Sequence, residues 1–200
     1  MARPKTHPRP PADLQTVDLP ITRRSRRWLR AHRCRRNPLF FGRTGQWRYD
    51  DPERTYGVLY VASNFEGAFI EGCLHDAAVG TTTPLISERF LKKRCASKIR
   101  FAGRLKLVDL SGPGLAAIGA DARICVGDYR IAQRWSRALW RHPQQPDGIL
   151  YLSRHNPAIM CAAVFDRAPI AAADTLDSFL GPRLILRTAA LLDAYSVGLC

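Results

Sequence analysis

Four residues of this chain combine the right types and spacing for one chemistry. Arg48, Tyr60 and Glu71 fall within WRYDDPERTYGVLYVASNFEGAFIEG, residues 47–72, and Ser153 follows in DGILYLS. An arginine fork holds phosphate oxygens through paired N–H donors. A tyrosine offers a ring for stacking and a polar tip. A carboxylate in a half-apolar niche can stabilise positive charge developing on a sugar carbon, as carboxylates do in glycoside hydrolysis. Taken singly, each has a plainer role. Arg48 reads as a surface ion pair, Tyr60 as a core aromatic, Glu71 as a solvated helix position and Ser153 as a strand-end cap. Other chemistries drop out. YLSRH lacks the glycines of a nucleophile elbow, and the five histidines form no H-E-x-x-H. His75 beside Asp76 reads as a capping or surface pair, and no metal site is expected.

The elements that must position these residues follow from pattern. Asn37-Pro38 leads into LFFG, QWRYD reads as a short strand, and DDPER is turn chemistry. TYGVLYVAS is a nearly continuous apolar run rich in β-formers, hence a buried strand. Ser63 or Asn64 caps the helix FEGAFIEGCLHDAAV, which Gly80 stops. On it Glu71 has Gly67, Ala68, His75 and Ala78 on its own face, small residues that let a backbone or ligand come close. SERFLKKRC reads as a helix and SKIRFAGRLKLVDL as strands. DYRIAQRWSRALWRH is a helix capped by Asp128, with Tyr129, Ala132, Trp135 and Leu139 at core spacing. DGILYLS and IMCAAVFD are strands, and PRLILRTAALLDAYSVGL is strand or helix. Helices and strands intermix without a βαβ rhythm, which predicts one α+β domain with a mixed, mostly antiparallel sheet. LKLVDLSGPGLAAIGA formally matches a dinucleotide-binding glycine motif. Its strand alternates charged and apolar residues, so a plain loop-to-helix start is the better reading.

Composition bounds the answer. The 200 residues are 46% hydrophobic and suit one globular domain with a core. No apolar stretch is long enough to span a bilayer and the start has no secretory h-region, so a cytoplasmic protein is expected. The six cysteines show no zinc spacing and are expected as buried free thiols. Of the +14 formal charge, residues 1–36 carry eleven Lys/Arg against Asp13 and Asp18. Such a block is either a solvated tail or the footprint of an anionic partner. Residues 1–20 hold five prolines and are expected to be a disordered basic arm, with residues 21–200 as the folded domain.

Several stretches of the chain also resemble a known family. WLRAHRCRRNPLFFG…WRYDDPERTYGVLYVASNFEGAFIEG, ARICVGDYRIAQRWSRALWRHPQQPDGILYLSR and DGILYLSRHNPAIMCAAVFDRA stand in the order of the RES domain, named for its Arg, Glu and Ser. The resemblance runs from about Arg30 to about Ala168. It puts the family's arginine on Arg48, its tyrosine on Tyr60, its glutamate on Glu71 and its serine on Ser153. A second family arginine falls on Arg30 or on Arg33. It implies an α+β fold similar to ADP-ribosyltransferase toxins and cleavage of NAD at the nicotinamide–ribose bond, by hydrolysis or by phosphorolysis with inorganic phosphate as co-substrate. Arg48 with Arg30 would grip the pyrophosphate, and Tyr60 would stack on or hydrogen-bond the nicotinamide end. Glu71 would hold the ribose hydroxyls and stabilise the oxocarbenium-like transition state, oriented by Ser153. NAD is then a substrate, with no resident cofactor and no metal. A DNA-binding antitoxin is the implied partner. Tyr49 stands where the family usually has Phe, and the basic arm is not a family hallmark. Two rivals stay open: an ADP-ribosyltransferase acting on a protein or nucleotide, and a basic nucleic-acid-binding module led by residues 21–36, whose binding would be salt-dependent.

Overall fold

A computed structural model of the chain describes residues 8–74, 82 and 84–200. The expected end of the Glu71 helix, with His75, Asp76, Ala78 and Gly80, lies outside the described residues. In chain order, a 3-10 turn at Leu14–Thr16 precedes β1 (Ile21–Arg24), β2 (Arg27–Arg33) and β3 (Val58–Ala62). Then come α1 (Phe65–Phe69), continued by a π-helical turn at Ile70–Leu74, and β4 (Leu85–Ile86), α2 (Glu88–Lys92), β5 (Arg94–Phe101) and β6 (Leu105–Asp109). The rest is α3 (Gly114–Ala117), α4 (Arg123–Val126), α5 (Tyr129–Trp140), β7 (Gly148–Leu152), β8 (Met160–Phe165), β9 (Ile170–Ser178), α6 (Ile185–Ala194) and β10 (Gly198–Leu199).

Eight strands form one sheet in the order β1-β6-β7-β8-β3-β2-β5-β9, and β10 pairs with β4 separately. Every neighbour pair in the large sheet is antiparallel except β6–β7, whose crossover carries α3 to α5. The class is therefore the expected one, α+β with a mixed, mostly antiparallel sheet. Only Ser25 and Arg26 join β1 to β2, yet those strands stand far apart in the sheet order. The sheet must curl to allow this, and the Arg26 carbonyl accepts the Phe101 N–H at 2.8 Å. Trp28, Leu59, Val61, Ile99, Phe101, Leu107 and Val164 pack against one another on one face of the curl. On the other face, Ala132, Trp135 and Leu139 of α5 pack on Val58, Ala62 and Ile149. Asp128 caps α5 by accepting the Arg130 N–H at 2.8 Å, which fixes that helix's start.

Three expectations are corrected here. QWRYD is a turn rather than a strand, because Asp50 gathers the Gln46 and Trp47 N–H groups (3.2 Å each) and so closes the backbone on itself. Residues 8–20 are docked, although the whole 1–20 stretch was expected as a disordered arm. Leu14 and Leu19 are buried, the Pro8 carbonyl accepts from Trp135 Nε1 (2.8 Å), and Gln144 Oε1 accepts the Leu19 N–H (2.8 Å). Two apolar anchors suffice to hold a proline-rich segment against a helix. Lastly, Cys34 and Cys95 form a disulfide, while Cys73, Cys125, Cys161 and Cys200 are free thiols. The β2–β5 register sets His32 opposite Cys95, which brings Cys34, just past the strand end, within bonding range. No helix among the described residues is long and apolar enough to cross a membrane.

Candidate functional site

The site exists because two central strands part. β2 and β3 share one register pair, Leu29 with Ala62, and do not pair beyond it. Val58, at the start of β3, instead exchanges hydrogen bonds with Gly42 (N–H to Val58 O 3.0 Å, Val58 N–H to Gly42 O 2.9 Å). The segment before Gly42 thus wedges into the split. Arg30 holds it there, Nη1 donating to the carbonyls of Pro38 (2.6 Å) and Phe40 (3.0 Å).

The turn bearing Arg48 is built on two buried aspartates. Asp50 accepts from Thr44 Oγ1 (2.9 Å), from the Gln46 and Trp47 amides, and from Tyr60 Oη (3.1 Å). Tyr60 Oη in turn accepts the Tyr49 N–H at 2.9 Å. Burial pushes the Tyr60 phenol well above its ordinary pKa, so the hydroxyl stays a donor. Asp51 is bound by Thr55 and by Arg137 Nη1 of α5 (2.6 Å). Burial raises the Asp51 carboxyl, and these hydrogen bonds outweigh it, holding the group below the usual carboxylate range. Arg48 is thereby aimed by residues before and after it. Its Nη1 donates to the Gly127 carbonyl (2.8 Å), and its guanidinium lies 4.4 Å over the Tyr129 ring.

Glu71 sits in the π-helical turn that extends α1, a helix irregularity common at functional sites. Asn64 caps α1 by accepting the Gly67 N–H at 2.8 Å. The helix lies close on the sheet because a Cβ at Gly72 would stand 2.3 Å from that of Ala31. The carboxylate accepts from Ser153 Oγ (2.7 Å) at Oε1 and from Tyr151 Oη (3.4 Å) at Oε2. Ser153 follows β7 and is itself buried. Its loop is pinned to α1 by Asn156 Nδ2 and Tyr195 Oη, both donating to Glu66 (3.0 and 2.6 Å).

Arg30, Arg48, Tyr60 and Glu71 all line one cavity of about 730 Å³, a volume suited to a nucleotide-sized ligand. Ser153 stands behind Glu71 rather than on the wall. Arg33 lines the cavity as well as Arg30. Tyr151 and Asp50 were not singled out from the sequence, and Tyr129, expected at core spacing, is half-buried and lines the cavity instead. Tyr151 carried a usable signal, standing two residues before Ser153 and so on the same side of an extended chain. Asp50 and Tyr129 meet the site only through the fold.

The wall is cationic. Arg30, Arg33, Arg36, Arg48 and Arg94 line it against one acid, Glu71. Burial pushes the Arg30 guanidinium down to about 10, and Arg36 adds to the shift. His32, buried beneath, places Nδ1 at 2.9 Å from the Arg33 carbonyl and Nε2 at 2.7 Å from Ser97 Oγ. The carbonyl can only accept, so Nδ1 carries the proton and Nε2 accepts from Ser97. Burial, with Arg30 and Arg94 nearby, holds the imidazole below its ordinary value of 6.5. The folded protein therefore binds fewer protons here than the unfolded chain once pH falls below about 6.5. The contribution of His32 is complete above that value and is lost on acidification. The melting temperature of the wild type should fall relative to that of His32→Gln between about pH 7.5 and 5.5. Parallel curves for the two proteins would remove His32 as an acid-sensitive group.

A curled α+β sheet parts around a nucleotide-sized cavity lined by arginines, tyrosines and one glutamate. The RES domain pattern matches residues 24–182, and the chain belongs to the RES-domain family. The probable toxin y4kH of Sinorhizobium fredii (strain NBRC 101917 / NGR234) is 35% identical over 99 residues, 48% of this chain and 76% of that protein. A chain in the crystal structure of the M. tuberculosis MbcT–MbcA toxin–antitoxin complex superposes with a TM-score of 0.58. That match covers 80% of this chain and 88% of the other at 17% identity, a likeness of fold.

Proposed function

We propose that this protein cleaves NAD at the nicotinamide–ribose bond and is the toxin of a cytoplasmic toxin–antitoxin pair. The observation that carries the reading is the cavity in which Glu71, a carboxylate accepting from two hydroxyls, faces a cationic wall with Arg48 fixed on it. Family membership and the relatives' names support the toxin role, with an antitoxin as partner.

NAD enters as substrate, its pyrophosphate on Arg48 with Arg30 close to the same wall. Breakage of the glycosidic C–N bond sends the bonding pair to the pyridinium nitrogen, so neutral nicotinamide leaves and positive charge grows on the ribosyl carbon. Glu71 stabilises that charge, and the hydroxyls of Ser153 and Tyr151 hold its orientation without reorganisation. Attack by water gives ADP-ribose and a proton, whereas attack by inorganic phosphate gives ADP-ribose 1″-phosphate. The basic run 21–36 forms β1, β2 and one rim of the cavity, which favours this reading over a separate nucleic-acid module. Incubation of purified protein with NAD, with and without phosphate, and identification of the products tests the proposal. Unchanged NAD in both would sink it, and an ADP-ribosylated acceptor would replace it with transfer.

Tyr60 acquires a revised role. With its hydroxyl committed to Asp50 and the Tyr49 amide, it leaves the ring for the ligand and positions the Arg48 turn. Tyr60→Phe should raise KM for NAD about tenfold, equivalent to roughly 1.4 kcal/mol, with a smaller effect on kcat. An unaltered KM would show that the Arg48 turn holds without this hydroxyl.

A further inference from the structure

The arginines that line the cavity come from several elements, and the chemistry above uses Arg48 and Arg30. Arg48 lies over Tyr129 at the start of α5. On different elements, Arg33 and Arg94 face each other across β2 and β5, and Arg36 follows in the turn, its N–H bonded to the Arg33 carbonyl (2.8 Å). All three line the cavity, and the Cys34–Cys95 bridge fixes the two strands at this point.

Like charges directly opposite on neighbouring strands destabilise a sheet. Among the described residues no carboxylate forms an ion pair with any of the three. Two are held in place by rings, Arg36 at 5.2 Å over Phe40 and Arg94 at 4.6 Å over Phe90. Solvation accounts for Arg33 and Arg36, which are exposed. It does not account for Arg94, which is half-buried, and whose charge is disfavoured by burial first and then by Arg33 and Arg36. Charge counting points the same way. Five arginines against Glu71 leave four positive charges around the cavity. A pyrophosphate diester offsets about two of them, and one further phosphate group, at about −1.5 to −2, offsets most of the remainder.

We infer that Arg33, Arg36 and Arg94 form a second anion subsite, apart from Arg48, which takes a phosphate group other than the pyrophosphate of the dinucleotide. The inference rests on the reading of the cavity as a nucleotide site. Two sources have this chemistry: a 2′-phosphate on the adenosine ribose and free inorganic phosphate.

Calorimetric titration of the full chain and of an Arg33→Gln/Arg36→Gln double variant separates them. The probes are inorganic phosphate, adenosine 5′-monophosphate and adenosine 2′,5′-bisphosphate, none of which can be turned over at a nicotinamide bond. Both substituted side chains are exposed, and a melting curve confirms that the variant is folded. A wild type that prefers the bisphosphate over the monophosphate about tenfold or more identifies the 2′-phosphate. A wild type that binds inorganic phosphate at about millimolar concentration identifies the free ion. In either case the variant should lose about tenfold or more in that arm. Equal affinity for the two nucleotides with no phosphate binding overturns the subsite, as does a preference that survives loss of both arginines. A protein that cleaves no NAD but keeps the arginine-dependent binding would sink the enzymatic reading and leave the subsite standing.

Discussion

Glu71→Gln is expected to lower kcat for NAD cleavage by a factor on the order of 10²–10³, with a smaller change in KM. The substitution keeps the shape of the side chain and lets a carbonyl oxygen still accept from Ser153 at the 2.7 Å position. It removes the negative charge, the property that matters only as the ribosyl carbon becomes cationic. The loss should therefore fall on the chemical step. Melting temperature should move little, because the side chain keeps its shape and no described salt bridge depends on this carboxylate. Initial-rate kinetics on the purified variant decide the matter. Near-full turnover would remove Glu71 from the reacting centre.

Removal of residues 1–20 is expected to lower the melting temperature by roughly 10–20 °C. Leu14 and Leu19 are both buried in the core that contains Trp135, and each is worth about 1.5–3 kcal/mol of apolar burial. For a domain of this length each kcal/mol corresponds to about 2–4 °C. The truncation also strips the Leu14 carbonyl from His142 (3.1 Å) and the Pro8 carbonyl from Trp135, leaving two donors of the core without their protein partners. Leu14→Ala in the full chain should give about half the loss. A truncated protein that melts with the wild type would show the segment to be dispensable, as composition alone suggests.

That contrast marks where sequence reasoning stops. The run TYGVLYVAS and the helix capped by Asp128 were legible, since continuous β-formers and helical spacing are local properties. Residues 8–20 were misread because proline content hides the two leucines that anchor them. QWRYD alternates like a strand, but its own Asp50 captures the Gln46 and Trp47 amides, and whether that carboxylate is buried is decided by the fold around it. Strand β9, IAAADTLDS, carries little local signal because it edges the sheet with half-buried and exposed, alanine-rich positions. Of the site, the four residue types were legible, and the family resemblance named their positions. Their meeting was not, because Ser153 and Glu71 are 82 residues apart and only the fold brings them together. The parting of β2 from β3, which creates the cavity, left no mark beyond Asn37-Pro38.

The Cys34–Cys95 bridge also has a topological meaning. It closes a loop with a sequence separation of 61, and Arg48, Tyr60 and Glu71 all lie inside that covalent ring while Arg30 and Ser153 lie outside. In the chain-entropy view, a ring of that length restricts the unfolded ensemble by about 4 kcal/mol at 25 °C. A thiol-reducing compartment withdraws that restriction, since two separate thiols leave the chain free to spread. The ring thus makes the fold's margin a function of the compartment's electron supply, and it does so across the segment of chain that carries Arg48, Tyr60 and Glu71.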